Sequence, residues 1–124
     1  MSEHDEQVLL FKWSAMRAAT IPALRMLFAV PNGGARAKAT AGRLKAEGVR
    51  KGVPDVCLPV PSGIYASLWI ELKRPYEPGK PRGVTSEAQR QWIGDLQAYG
   101  NCACVVYGWD EARILIESYL RADS

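Results

Sequence analysis

Histidine is nearly absent from the 124 residues, occurring once, at His4, and cysteine occurs only at Cys57, Cys102 and Cys104. That scarcity bears first on metal chemistry. A structural zinc site draws four ligands from closely grouped cysteines and histidines, and one histidine near the start of the chain with three scattered cysteines does not supply that grouping. Three cysteines are no even set for a disulfide framework either. Cys102 and Cys104 alternate along an apolar segment, so their thiols are expected free, buried and on one sheet face. Long apolar runs are also missing, none approaching the roughly 20 residues that span a bilayer. The opening stretch, MSEHDEQ, is acidic and polar where a secretory leader is basic and then apolar. A soluble, cytoplasmic chain with no membrane partner is the expectation.

What remains is an ordinary globular balance, 48% hydrophobic and 23% charged, in a length that suits one domain over residues 1–124 and no second core. The net charge of +3 is mild but uneven. Arg36, Lys38, Arg43, Lys45, Arg50 and Lys51 are offset within their stretch only by Glu47. Such a cluster reads either as a solvated helix face or as a phosphate-contacting surface.

Leu9, Leu10, Trp13 and Met16 recur at helical spacing, which predicts a helix over residues 3–18, and Glu6 shares the phase of that inward stripe. After Pro22 a short strand or extended segment is predicted, ended by Pro31 and the turn signal Asn32-Gly33-Gly34. A helix is predicted from Ala35 to Glu47, ended by Gly48. Two strands follow, DVCLPV from Asp55 and SLWIELK ending at Lys73, joined as a hairpin through Pro61, Ser62 and Gly63. Residues 74–85 read as a proline-punctuated loop. A helix over 86–99, a buried strand CACVVYG, and a helix from Asp110 as N-cap to Leu120 complete the order αβαββαβα.

Side chains alternate along a strand, so Glu71 and Lys73 share one face while Ile70 and Leu72 pack on the other. Alone, that pair reads as a surface ion pair of little energetic weight. Asp55 changes the reading, because antiparallel neighbours lie about 5 Å apart and the right register lets Asp55 and Glu71 share a divalent cation. Hard carboxylate oxygens, with the Leu72 carbonyl between them, suit Mg²⁺ or Mn²⁺, and lysine meets developing negative charge. Gln89 has two readings. Ser86 and Gln89 match a capping box, and the helical phase of Trp92, Ile93 and Leu96 also turns Gln89 toward the sheet.

Pro54-Asp55 and Glu71-Leu72-Lys73 resemble the PD-(D/E)XK nuclease signature. The ordered set PNGG, GVRKGVPDVCLPV, WIELKRP, SEAQRQWI, LQAYG and DEARILIESYL, from Pro31 to Leu120, is similar to the virus-type replication-repair nuclease family, VRR-NUC. The resemblance implies an α/β, restriction-endonuclease-like fold, a mixed central sheet flanked by helices. It implies a metal-dependent endonuclease hydrolysing phosphodiester bonds in DNA, acting as a homodimer on branched substrates such as Holliday junctions or flaps. Residue by residue, it assigns metal binding to Asp55 and Glu71, catalysis to Lys73 and Gln89, and a further acid to the first helix, Glu6 by phase with Glu3 as the alternative. Asn32, Arg36, Lys38, Arg43, Lys51 and Arg74 are the expected DNA contacts. A DNA-binding module on the same fold that has lost catalysis is the rival expectation.

Overall fold

The computed structural model describes residues 1–31 and 38–121. Helix α1 runs Glu3–Arg17, started by a reciprocal box in which Ser2 Oγ accepts from the Asp5 amide and Asp5 Oδ2 accepts from the Ser2 amide, both at 3.1 Å. Its fully buried stripe is Glu6, Leu10 and Ser14, one residue in four. Met16, expected to face inward, is 81% exposed: the helix is rotated so that the line through Leu10, and not the one through Leu9, meets the core.

The segment after Ile21 departs from the expected extended chain. Pro22–Met26 forms a turn of 3-10 helix with proline at its start, where a missing N–H costs nothing and φ is already helical. Leu24 thereby reaches the core, and its carbonyl accepts from Ser14 Oγ at 3.3 Å. Only Phe28–Ala29 then pairs as a strand, β1. The expected turn at Asn32 and the helix start at Ala35 lie outside the described residues, as does Arg36. Helix α2 is described over Lys38–Ala46, and Gly48 follows at φ +101°.

Strand β2 is shorter than expected, Val56–Leu58, because Pro59 has no amide to extend the ladder. Strand β3 spans Leu68–Lys73, α3 Glu87–Ala98, β4 Cys102–Tyr107 and α4 Trp109–Arg121. The sheet order is β1-β2-β3-β4, with β1/β2 and β2/β3 antiparallel and β3/β4 parallel. The fold is therefore α/β with a mixed sheet. Leu68, Ile70, Leu72 and Val106 from one sheet face pack with Leu10 of α1 and Ala112, Ile116 and Tyr119 of α4 in one buried cluster. Helix α3 serves the other face, has no fully buried residue, and carries Gln89 to Glu71 and Lys73.

Asp110 is not the cap of α4. The helix begins one residue earlier, and the group that satisfies its first amide is Glu6 Oε1, which accepts from Trp109 N at 2.9 Å. All three thiols are free as expected, but of the three only Cys57 is buried; Cys102 and Cys104, expected buried, are partly exposed, with their Sγ atoms 4.0 Å apart. Among the described residues, no helix is long and apolar enough to cross a membrane.

Candidate active site

Strand register brings the two acids together. Val56 pairs with Ile70, so Asp55, one residue before β2, falls opposite Glu71. The Asp55 carbonyl accepts from Val30 N at 2.7 Å on the β1 side. Backbone groups alternate in direction along a strand, so Pro54 and Val56 face β3. Continuing that register by one rung would set Pro54 against Leu72, where proline has no N–H to extend the ladder. The Leu72 amide is taken instead by Asp55 Oδ2 at 2.8 Å. The β2–β3 ladder thus stops at Val56–Ile70, and the Asp55 side chain takes the next inward amide of β3.

Glu71 is 1% exposed and Lys73 7%. Glu71 Oε2 accepts from Gln89 Nε2 at 3.0 Å and stands 3.6 Å from Lys73 Nζ, which donates to Gln89 Oε1 at 3.3 Å. Glu71 Oε1 is buried without a hydrogen-bond partner among the described residues. Burial lifts the Glu71 carboxyl to about 8 from an ordinary 4.5; the adjacent Asp55 carboxyl adds to the lift and Lys73 opposes it. Two adjacent carboxyls, one with a buried oxygen that has no hydrogen-bond partner among the described residues, are oxygen donors of the kind a hard divalent cation takes.

Stability therefore has a stated pH dependence. The folded carboxyl holds its proton to about 8 and the unfolded one to 4.5, so the folded state binds the extra proton between those values and its stability falls as pH rises through the window. Thermal melts from pH 4.5 to 9 are expected to show a decline that Glu71→Gln removes, and added Mn²⁺ is expected to restore stability most at the alkaline end. Parallel melting curves of the two proteins across that range would rule this out.

Both readings of Gln89 hold at once. Its Oε1 accepts from the Ser86 amide at 2.8 Å and its own amide donates to Ser86 Oγ at 3.1 Å, closing the capping box. The same side chain then reaches Lys73 with Oε1 and Glu71 with Nε2. The cap fixes the rotamer that presents the amide to the site.

The helix-1 acid Glu6 has its expected inward phase, but the group it meets there is a helix N-terminus. Glu6 is 1% exposed and committed to the N-terminus of α4, with its second oxygen unpartnered among the described residues. A cleft of about 770 Å³ beside Asp55 is lined instead by Glu3, His4 and Gln7 of α1 together with Pro31 and Leu72. The Leu72 side chain is in the core, so the cleft meets its backbone. Glu3 is thus the acid of α1 that opens onto the cleft. Among the described residues, no group of three or more His, Cys, Asp or Glu could hold a metal ion; Asp55 and Glu71 are brought together as a pair.

Of the expected DNA contacts, Arg43 and Lys51 are exposed and Arg74 is half-buried, donating to the Pro81 carbonyl at 3.0 Å. Asn32 lies outside the described residues, as does the side chain of Lys38. Two supports were not foreseen. Gly52 sits at φ +88° where a Cβ would lie 2.7 Å from the backbone of Ala88, and Gly83 lies against the Lys73 side chain. Gly52 stands two residues before Pro54, and its contact with α3 is not coded locally.

No protein-family model matches the sequence, and no curated protein matches it. A solved structure described as a VRR_NUC domain protein is similar over 100% of this chain and 92% of its own, with a TM-score of 0.82 and 25% sequence identity. With its mixed four-stranded sheet and this likeness over its whole length, the chain has the fold of a VRR-NUC domain.

Proposed function

We propose that the protein is a Mg²⁺- or Mn²⁺-dependent DNA endonuclease selective for branched substrates. The observation that carries this reading is the buried Glu71 carboxyl beside that of Asp55, with Oε2 facing Lys73 and Gln89 and Oε1 without a hydrogen-bond partner among the described residues. A surface ion pair would be solvated and would show no orphaned oxygen.

Asp55, Glu71 and the Leu72 carbonyl would hold the cation, with Glu3 the α1 acid on the same cleft. Glu6, read from sequence as the acid in phase, is instead assigned to holding the α1–α4 junction. A bound Mg²⁺ or Mn²⁺ supplies Lewis-acid polarisation of the phosphodiester and a more acidic water. Lys73 Nζ orients the attacking water and offsets charge gathering on the phosphate. Gln89 holds Lys73 and Glu71 at fixed separation. Arg43 and Lys51 add charge to hold the DNA backbone, without reading sequence. The proposal extends to a homodimer acting on the two strands of a branch.

The test is incubation of the purified chain with end-labelled Holliday junction, flap and linear duplex, with Mn²⁺, with Mg²⁺ and with EDTA. Cutting that needs a cation and is faster on the branched substrates is expected. Binding without cutting under every condition would transfer the protein to the non-catalytic DNA-binding reading.

A further inference from the structure

The loop between β3 and α3 carries a cluster that phosphodiester hydrolysis does not use. Tyr76 is 58% exposed. The Arg82 guanidinium lies 5.8 Å from its ring centre and 4.6 Å from that of Tyr107, the last residue of β4. Tyr107 pairs in register with Lys73, and its hydroxyl donates to the Gly83 carbonyl at 3.5 Å. A Cβ at Gly83 would in turn lie 3.5 Å from the Lys73 side chain. The cluster therefore abuts the side chain proposed for catalysis. Its neighbours on the loop are otherwise engaged, Arg74 with Pro81 and Lys80 with Glu77 at 3.0 Å. Arg82 has only the two rings among the described residues.

An exposed tyrosine, a guanidinium plane and a second ring are the elements with which proteins stack single-stranded bases, and they do so without regard to base identity. A phosphate-binding loop needs charge but no aromatic face. Bases within a duplex have both faces covered, so such a surface selects a nucleotide out of the stack.

We propose that Tyr76, Arg82 and Tyr107 form a stacking platform for one unpaired nucleobase next to the phosphodiester at Lys73, so that the substrate class is duplex DNA bearing an unpaired nucleotide. The identity of the polymer rests on the nuclease reading above; the platform rests on the cluster.

The experiment is binding in EDTA, where no cutting occurs, to a duplex with a single bulged 2-aminopurine and to a blunt duplex of equal length. The wild-type chain is expected to quench the 2-aminopurine and to prefer the bulged DNA. Tyr76→Ala is expected to lose the quench and weaken bulged-DNA binding by roughly five- to hundredfold, leaving blunt-duplex affinity unchanged, while Tyr76→Phe retains both. Arg82→Lys, which keeps the charge and loses the plane, is expected to follow Tyr76→Ala in the quench. If Tyr76→Ala binds the bulged DNA as wild type does, or weakens both DNAs equally, the platform is wrong. Quenching by a wild-type protein that cuts no DNA with Mn²⁺ would remove the nuclease reading and keep the platform. Cutting without quenching would do the reverse.

Discussion

Replacing Lys73 by methionine is expected to lower the single-turnover rate of DNA cleavage by about a hundred- to ten-thousandfold, while Mn²⁺ affinity, measured by calorimetry, is retained. The two readouts separate because the side chains have separate tasks. Lys73 Nζ is 3.6 Å from Glu71 Oε2 but is bonded to Gln89 Oε1, so it is a neighbour of the cation site and not part of its donor set. Methionine keeps the unbranched apolar stem in a position that is 7% exposed, so the packing is conserved and the ammonium alone is lost. Glu71→Gln, in contrast, is expected to remove both activity and Mn²⁺ binding. A Lys73→Met protein cutting within about tenfold of wild type would defeat the assignment of Lys73 to the chemistry.

The same substitution has an electrostatic consequence. Lys73 is the group that draws the Glu71 carboxyl downward against burial and Asp55. Without it the folded carboxyl holds its proton to still higher pH, and the cation must displace that proton. Mn²⁺ binding by Lys73→Met should therefore release more protons above neutral pH than wild type does, a difference visible as a buffer-dependent heat of binding.

Asp55, Glu71 and Lys73 were legible in the sequence because their geometry is almost entirely local. Strand alternation puts Glu71 and Lys73 on one face, and the observed β2–β3 register, Val56 against Ile70, sets Asp55 opposite Glu71. Gln89 was half legible: the capping box is a local pattern, but its second use depends on how α3 lies on the sheet. Glu6 shows where phase stops being informative. A helical period places a residue on the inward stripe and says nothing of which neighbour it will meet there. The amide that Glu6 meets is at Trp109, on the last helix of the chain. The 3-10 turn at Pro22–Met26 was legible and missed: proline at a first helical position followed by Ala, Leu, Arg and Met favours a helical turn, and Leu24 is buried by it.

The largest effect on stability is expected at a residue that touches no substrate. Gly52→Ala forces a side chain into the left-handed region at φ +88° and puts its Cβ 2.7 Å from the Ala88 carbonyl carbon and 2.8 Å from the carbonyl oxygen. Left-handed strain costs about 1–2 kcal/mol, and overpacking against a helix backbone adds about 1–3. Together they imply a melting temperature lower by roughly 10–20 °C for a chain of this size. Gly48→Ala is the control, since it has the same strain at φ +101° and nothing within 4 Å of the added atom; it should lose only the strain. Ala88 precedes Gln89, so relief of the clash moves α3 away from β3 and lengthens the Gln89 contacts to Glu71 and Lys73. Activity measured well below the melting transition should therefore fall in Gly52→Ala and not in Gly48→Ala. Equal melting temperatures for the two variants would show that the approach of α3 to the Pro54-Asp55 turn is loose, and that Gln89 is positioned by its capping box alone.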